Sequence, residues 1–519
     1  MKIRLINLTF LLLVSGQIFS QQFVPKRLYF GKQKIETYDS ISIITVLERA
    51  IAIDSDSTIL IKTRRLDIEI PQEKFMFEDS VVYKHLLGKF PNIKLNEIGQ
   101  IVIPNYLRLE IDSMNIVPLS IEGFEFARGV FLKINGSSRD LQIEACTFND
   151  LGIFILKDGL ALTNNNFKQG LYISNETGRL NIEDNQISTP VITLKVIEKP
   201  FESYSYAIDI RSPSLDYFSF SNNKVNDERK NGSISNFRLE KVGVFAFSEN
   251  TIDGIVDLSG VLVERRVNLK DNVFNGSICL SDFIFPEHFN KIYWDQLAGR
   301  KLNIIKKMAS RQYGGLIVYP YNSTTDSLVD ENHKDLIMTY KALHSIFVDN
   351  GDTESANGVY AEKKDLEGTR LKYLYEKFGG FRPYINYKLN RLLKFYTNHG
   401  TDPALAILIS IYVLLGFAVF YMFFPSDWDI TSKSRLLRNF NDFRQKNEKG
   451  YIKPFLFITW VFFLSFVNAL TLSINSFVTL GFGNIPTKGA ARYVCIIQGF
   501  IGWFLLSIFT VALINQVLS

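Results

Sequence analysis

Cysteine is almost missing from this chain. The three present, Cys146, Cys279 and Cys495, are too few and too scattered for a disulfide framework, and no Cys or His pair has zinc-ligand spacing. Excess charge of one sign is missing too: 58 Lys and Arg against 53 Asp and Glu leave +5 over 519 residues, too little to argue for nucleic acid as a partner. More informative are the stretches with no charge at all. Residues 404–424 (21 positions), 454–487 (34) and 493–519 (27) contain no Asp, Glu, Lys or Arg, whereas a helix needs about 20 apolar residues to cross the hydrocarbon core. An integral membrane protein in contact with lipid is expected. At 519 residues the chain also has room for several domains.

The amino terminus starts with Lys2 and Arg4, continues through the apolar run Leu5 to Val14, and reaches Ile18-Phe19-Ser20 before Gln21. That pattern fits a secretory signal over residues 1–20, with an uncleaved anchor as the alternative. Either one exports the chain from Gln21 onward. Between Leu109 and Phe274 an eight-residue unit recurs: Leu119 to Phe126, Leu141 to Phe148, Leu160 to Phe167, Leu180 to Ile187, Phe218 to Val225, Phe245 to Ile252 and Val267 to Phe274. Positions one, three and eight are apolar, and the sixth is Asn in five units: Asn165, Asn185, Asn223, Asn250 and Asn272. The units start 22, 19, 20, 38, 27 and 22 residues apart, a solenoid period near 20 with longer loops in two places.

Alternating apolar residues place one strand face in a stacked core, and an Asn at a bend can bond the backbone of the next coil. The expected fold over 109–286 is a right-handed parallel β-helix, with residues 21–108 capping its first coil through a helix near 42–53 and an alternating segment at 58–70. The pattern resembles β-helix enzymes that cleave acidic polysaccharides. However, Glu144 occupies a different repeat position from Asp184 and Asp271, so no acid and base pair emerges, and no catalytic residue is expected.

After Glu287 helical periodicity takes over. Leu336, Tyr340, Leu343 and Phe347 share a face, Gly351 follows as a stop, and Ala356, Tyr360, Lys363 and Lys364 begin a second helix. Residues 287–400 therefore read as a helical linker, similar to those joining repeat domains to bacterial membrane pores. The last part, 401–519, is the membrane domain.

Its middle run contains Asn468, Thr471, Ser473, Asn475, Ser476 and Thr479 and ends in Gly481-Phe482-Gly483-Asn484. Polar or irregular backbone at that depth must line protein or water. Thr479-Leu480-Gly481-Phe482-Gly483 resembles the potassium-channel filter, in which Thr-x-Gly-Tyr/Phe-Gly presents backbone carbonyls to the ion. Asn468 to Val478 has the length of a pore helix ahead of it, Asn484 follows at the outer mouth, Arg492 opens the last helix, and Gly502 lies where the family carries a hinge glycine. The resemblance covers about 50 residues, from Phe466 to Leu518. It implies a homotetramer with permeant K⁺ in the filter and no cofactor. Phe482 in place of Tyr and Asn484 in place of Asp depart from the commoner pattern.

An exported amino terminus would place residues 425–453 in the cytoplasm of a bacterial inner-membrane protein. That loop carries seven basic residues against four acids, in keeping with the positive-inside rule. Two topologies remain open: either Pro454 to about Leu470 crosses back and the filter faces outward, or the loop re-enters from the cytoplasmic side as in inverted, glutamate-receptor-like pores. Functionally the sequence reads as a cation channel, potassium being the expected ion, regulated by an extracytoplasmic β-helix and its ligand. The alternatives are a membrane-anchored carbohydrate-binding or polysaccharide-processing β-helix and a membrane-anchored structural scaffold.

Overall fold

The computed structural model describes residues 32–518, apart from 53–56, 68–80, 91, 115–118, 138–140, 190–204, 228–232, 289, 311–314, 321–329, 480–489 and most of 425–451. The expected signal segment lies outside the described residues. The chain forms two compact units, Met1–Ala342 and Leu343–Ser519.

The first unit is a parallel β-solenoid. Strand Lys32–Ser42 pairs with Ser57–Asp67, and that strand with Tyr106–Met114. The ladder continues through Val130–Ile134, Gly152–Thr163 and Leu171–Glu183 to Asn290–Ile292 and Leu302–Asn303, always parallel. A second sheet of eight short strands runs alongside, from Ile101–Ile103 to Val273–Phe274. The coils thus reach beyond 109–286 at both ends, into the segments expected to be cap and linker. Those outer coils pair by backbone like the others but lack the eight-residue unit, so the repeat marks only the middle of the stack. Helix α1 (Ile43–Ala52) does lie near the first coils, burying Ile43, Val46, Leu47 and Ala50. Asn105 Nδ2 donates to its Ala50 carbonyl at 3.0 Å. Helix α2 (Val81–Lys89) adds buried Leu86 and an ion pair from Lys89 to Glu48 at 2.6 Å.

Every apolar position of the repeat from Leu141 onward is buried, and position-eight phenylalanines stack: Phe148 lies 5.1 Å from Phe126 and 4.6 Å from Phe167 between ring centres. The asparagines form an unbroken buried ladder. Cys146 N donates to Asn165 Oδ1, and the N–H groups of Asn165, Asn185, Asn223 and Asn250 each donate to the next Asn Oδ1, at 2.9–3.1 Å. Gln296 ends the row by accepting from Asn272 N at 3.0 Å. Each Asn Nδ2 reaches back to the position-three carbonyl of the preceding unit, as Asn185 does to Leu162 at 2.9 Å. No buried amide in the row is left without a partner, which is what allows five asparagines inside an apolar stack.

The residue before each Asn turns the corner in the left-handed region: Asn164, Asp184, Asn222, Glu249 and Asp271 have φ between 51° and 60°. Ala145 and Gly123 hold the same place in earlier units, with φ 49° and 76°. Asn, Asp and Gly are the residues that tolerate this backbone best. Asp184 and Asp271 therefore serve as corners.

A hairpin, Ile305–Ser310 with Gly315–Pro320, precedes the helices. Helix α3 (Asp330–Asp349) buries Leu336, Tyr340, Leu343 and Phe347, the face that the periodicity predicts. Gly351, at φ 71°, ends that helical run, and Asp352 caps helix α4 (Thr353–Phe378) by accepting from Ser355 N at 3.0 Å. Helix α5 (Phe381–Thr397) returns along α4, with Asn390 seated on Gly368 and donating to the Lys364 carbonyl at 3.3 Å.

Candidate functional site

A short elbow leads from the stalk formed by α4 and α5 into three apolar helices. Asn398 and His399 adopt left-handed backbone at φ 46° and 63°, and Thr397 Oγ1 accepts from Gly400 N at 3.0 Å. His399 Nε2 lies 2.9 Å from Asp365 Oδ1 on α4, and Lys394 pairs with the other oxygen of that carboxylate. Burial works to raise the Asp365 carboxyl, but the bonds from Lys394 and His399 outweigh it and hold it below the usual carboxylate range. Asp402 then caps helix α6 (Pro403–Phe423) by accepting from Leu405 N at 3.0 Å, with Pro403 at the first turn.

Helix α7 (Ile452–Val478) and helix α8 (Ala490–Leu518) complete the unit. Stretches of all three, Pro403–Phe423, Thr459–Val478 and Ala491–Ile514, are long and apolar enough to span a membrane. Ile407, Tyr412, Trp460, Phe462, Phe500 and Trp503 are exposed, as lipid-facing side chains require.

Between the helices runs a buried polar network. Tyr421 OH donates to Gln498 Oε1 at 2.8 Å, and Gln498 Nε2 donates to Ser473 Oγ at 2.7 Å and to the Ser473 carbonyl at 3.1 Å. Ser473 Oγ donates to the Leu414 carbonyl at 2.9 Å, and Ser476 Oγ to the Cys495 carbonyl at 2.6 Å. The chain of bonds ties α6, α7 and α8 together where hydrocarbon offers no competing partner. Of the polar residues singled out on α7, Ser473 and Ser476 belong to this network. Thr471 and Thr479 instead bond carbonyls of their own helix, Val467 at 2.8 Å and Asn475 at 2.6 Å. Sequence reasoning missed Tyr421 and Gln498. Gln498, an amide in the middle of an uncharged run, was the available signal.

Thr479 directly follows α7. Leu480, Gly481, Phe482, Gly483 and Asn484 lie outside the described residues. Gly502 is buried against the end of α7: a Cβ there would stand 2.3 Å from the Phe477 carbonyl oxygen and 2.8 Å from its ring. Twenty-three residues of chain separate Gly502 from Thr479, yet in space it touches a residue only two before that threonine.

The apolar helices and their internal polar bonding define a membrane protein. Within it, residues 451–519 match a family model described as "Ion channel". No curated protein and no solved structure matches the chain.

Proposed function

We propose that this chain is the subunit of a homotetrameric, potassium-selective channel of a bacterial inner membrane, regulated by an extracytoplasmic solenoid. The observation that carries the reading is positional. The segment Thr479-Leu480-Gly481-Phe482-Gly483 connects two apolar helices inside the stretch that matches the ion-channel family. Backbone carbonyls of those five residues replace the hydration shell of K⁺, Asn484 sits at the mouth, and one segment per chain calls for four chains around the axis. Conduction of this kind needs no bond-making chemistry, so the chain acts as a conduit rather than an enzyme. The solenoid is the module available to take an extracytoplasmic ligand, and the stalk carries its state to the helices.

The test is ion flux. Purified protein in liposomes is expected to pass K⁺ in preference to Na⁺ and to be blocked by Ba²⁺. Absence of flux under every condition tried would reject the channel reading, and equal passage of Na⁺ would reject the selectivity.

A further inference from the structure

Helix α5 has two unlike sides. One is turned to α4, where Asn390 seats on Gly368 and Lys394 pairs with Asp365. Along the other runs a stripe at spacings of four and three residues, Phe381, Ile385, Lys388, Leu392 and Phe395, flanked by Leu389. Its apolar members are bare: Phe381 is 80% exposed, Phe395 66%, and Ile385 and Leu389 42% each. Ile407 and Ile411 on the apolar surface of α6 are exposed to a similar degree, at 50% and 46%. A contiguous apolar stripe of this size marks a surface that something covers.

Position and charge say what covers it. Tyr396, next to Phe395, is buried with Ala406, Phe477 and Leu505 and shares a 2.9 Å hydrogen bond with Ser410. Ser410 lies about 10 Å along α6 from Pro403 at 1.5 Å per residue, so the end of α5 stands beside the start of an apolar span. The stripe is thus continuous with the surface of the spanning helices. Residues 381–397 carry Arg382, Lys388, Arg391 and Lys394 and no Asp or Glu. Lys394 is held by Asp365, while Arg382, Lys388 and Arg391 are exposed. The same stripe on a second copy would set Lys388 against Lys388 and repel, whereas lipid phosphates attract it.

We propose that α5 lies in the interface of the bilayer, its stripe at the boundary of headgroups and acyl chains and its exposed basic residues on the phosphates of anionic lipid. A helix of this composition sinks its apolar face about 5–10 Å into that boundary. Lys388, inside the stripe, buries its stem there and lifts its ammonium to the phosphates. The assignment stands on the membrane character of the unit and not on conduction. In the channel reading, on which this one consequence rests, lipid charge met by α5 bears on α8 through Tyr396 and Leu505.

The test reads depth in the full chain. Ile385→Cys and Leu392→Cys each receive a nitrobenzoxadiazole label, with Lys372→Cys on α4 as the reference. Cys146, Cys279 and Cys495 are buried, and the unsubstituted chain gives the blank. In vesicles of phosphatidylcholine and phosphatidylglycerol, lipid with a nitroxide on its acyl chain is expected to quench both stripe labels about threefold more than the reference. Either stripe label suffices if the other variant misfolds. Leaving out phosphatidylglycerol is expected to reduce that quenching, and Lys388→Gln with Arg391→Gln to abolish the dependence on it. Equal quenching at all three positions overturns the proposal. So does self-quenching between labels without quenching by lipid, which would give the stripe to a second copy. Quenching indifferent to phosphatidylglycerol overturns the phosphate contacts. Depth is read on the protein whether or not ions flow, so quenched stripe labels without K⁺ flux would reject the channel and leave α5 in the interface.

Discussion

A left-handed backbone costs an L-residue with a Cβ about 1–2 kcal/mol, and Ala145 bears that cost at φ 49° without a polar side chain to offset it. Ala145→Gly is expected to raise stability by about 0.5–1 kcal/mol, less than the full strain because glycine gains freedom when unfolded. The denaturation midpoint of the solenoid measures it. Asn185 shows the opposite case. Leucine there would strip the acceptor from Asn165 N–H and the donor from the Leu162 carbonyl, both buried. Asn185→Leu is expected to cost about 1–3 kcal/mol, and an unshifted midpoint would show that water replaces the amide. At Gly502 an added methyl would meet the Phe477 carbonyl. Gly502→Ala is thus expected to push α7 and α8 apart and alter ion preference together with open probability. Single-channel recording that found lower open probability with unchanged preference would instead favour the bending role that the family resemblance implies.

Among the elements, the stalk elbow has a pH dependence of its own. Asp365 is held below its ordinary range by Lys394 and His399. A lowered carboxylate contributes stability that is present above its unfolded value, about 3.9, and lost as pH falls through the folded one. The packing of α4 on the elbow is expected to weaken below about pH 4, and Asp365→Asn to remove that part of the acid sensitivity; melting curves from pH 3 to 7 compare the two. The elbow was not legible in the sequence, because Asp365, Lys394 and His399 meet only through the return of α5 along α4. The solenoid was far more readable, since each coil repeats one local solution: apolar one, three and eight, Asn at six. Its corners at position five went unread because Asn, Asp, Glu, Ala and Gly share a backbone conformation there rather than a side-chain type. The outer coils went unread because they lack the eight-residue unit. In the membrane unit the absence of charge announced the helices. Which helix pairs with which depended on Tyr421, Gln498 and Ser473 meeting across 25 and 77 residues of chain.

For the molecule as a whole, conduction is expected to depend on backbone at the filter segment. Gly481→Ala is expected to abolish K⁺ flux with expression retained, because a Cβ obstructs the backbone that turns carbonyls toward an ion; normal flux through that variant would remove the filter from the account. The asparagine ladder has a different kind of consequence. Asn165 and Asn185 stand 20 residues apart, Asn185 and Asn223 stand 38 apart, yet the same bond joins each pair at 2.9 and 3.0 Å. The stack therefore counts coils and ignores residues. A sequence grafted between two coils cannot put the later ones out of phase, so this architecture can acquire new loops without renegotiating the fold beneath them.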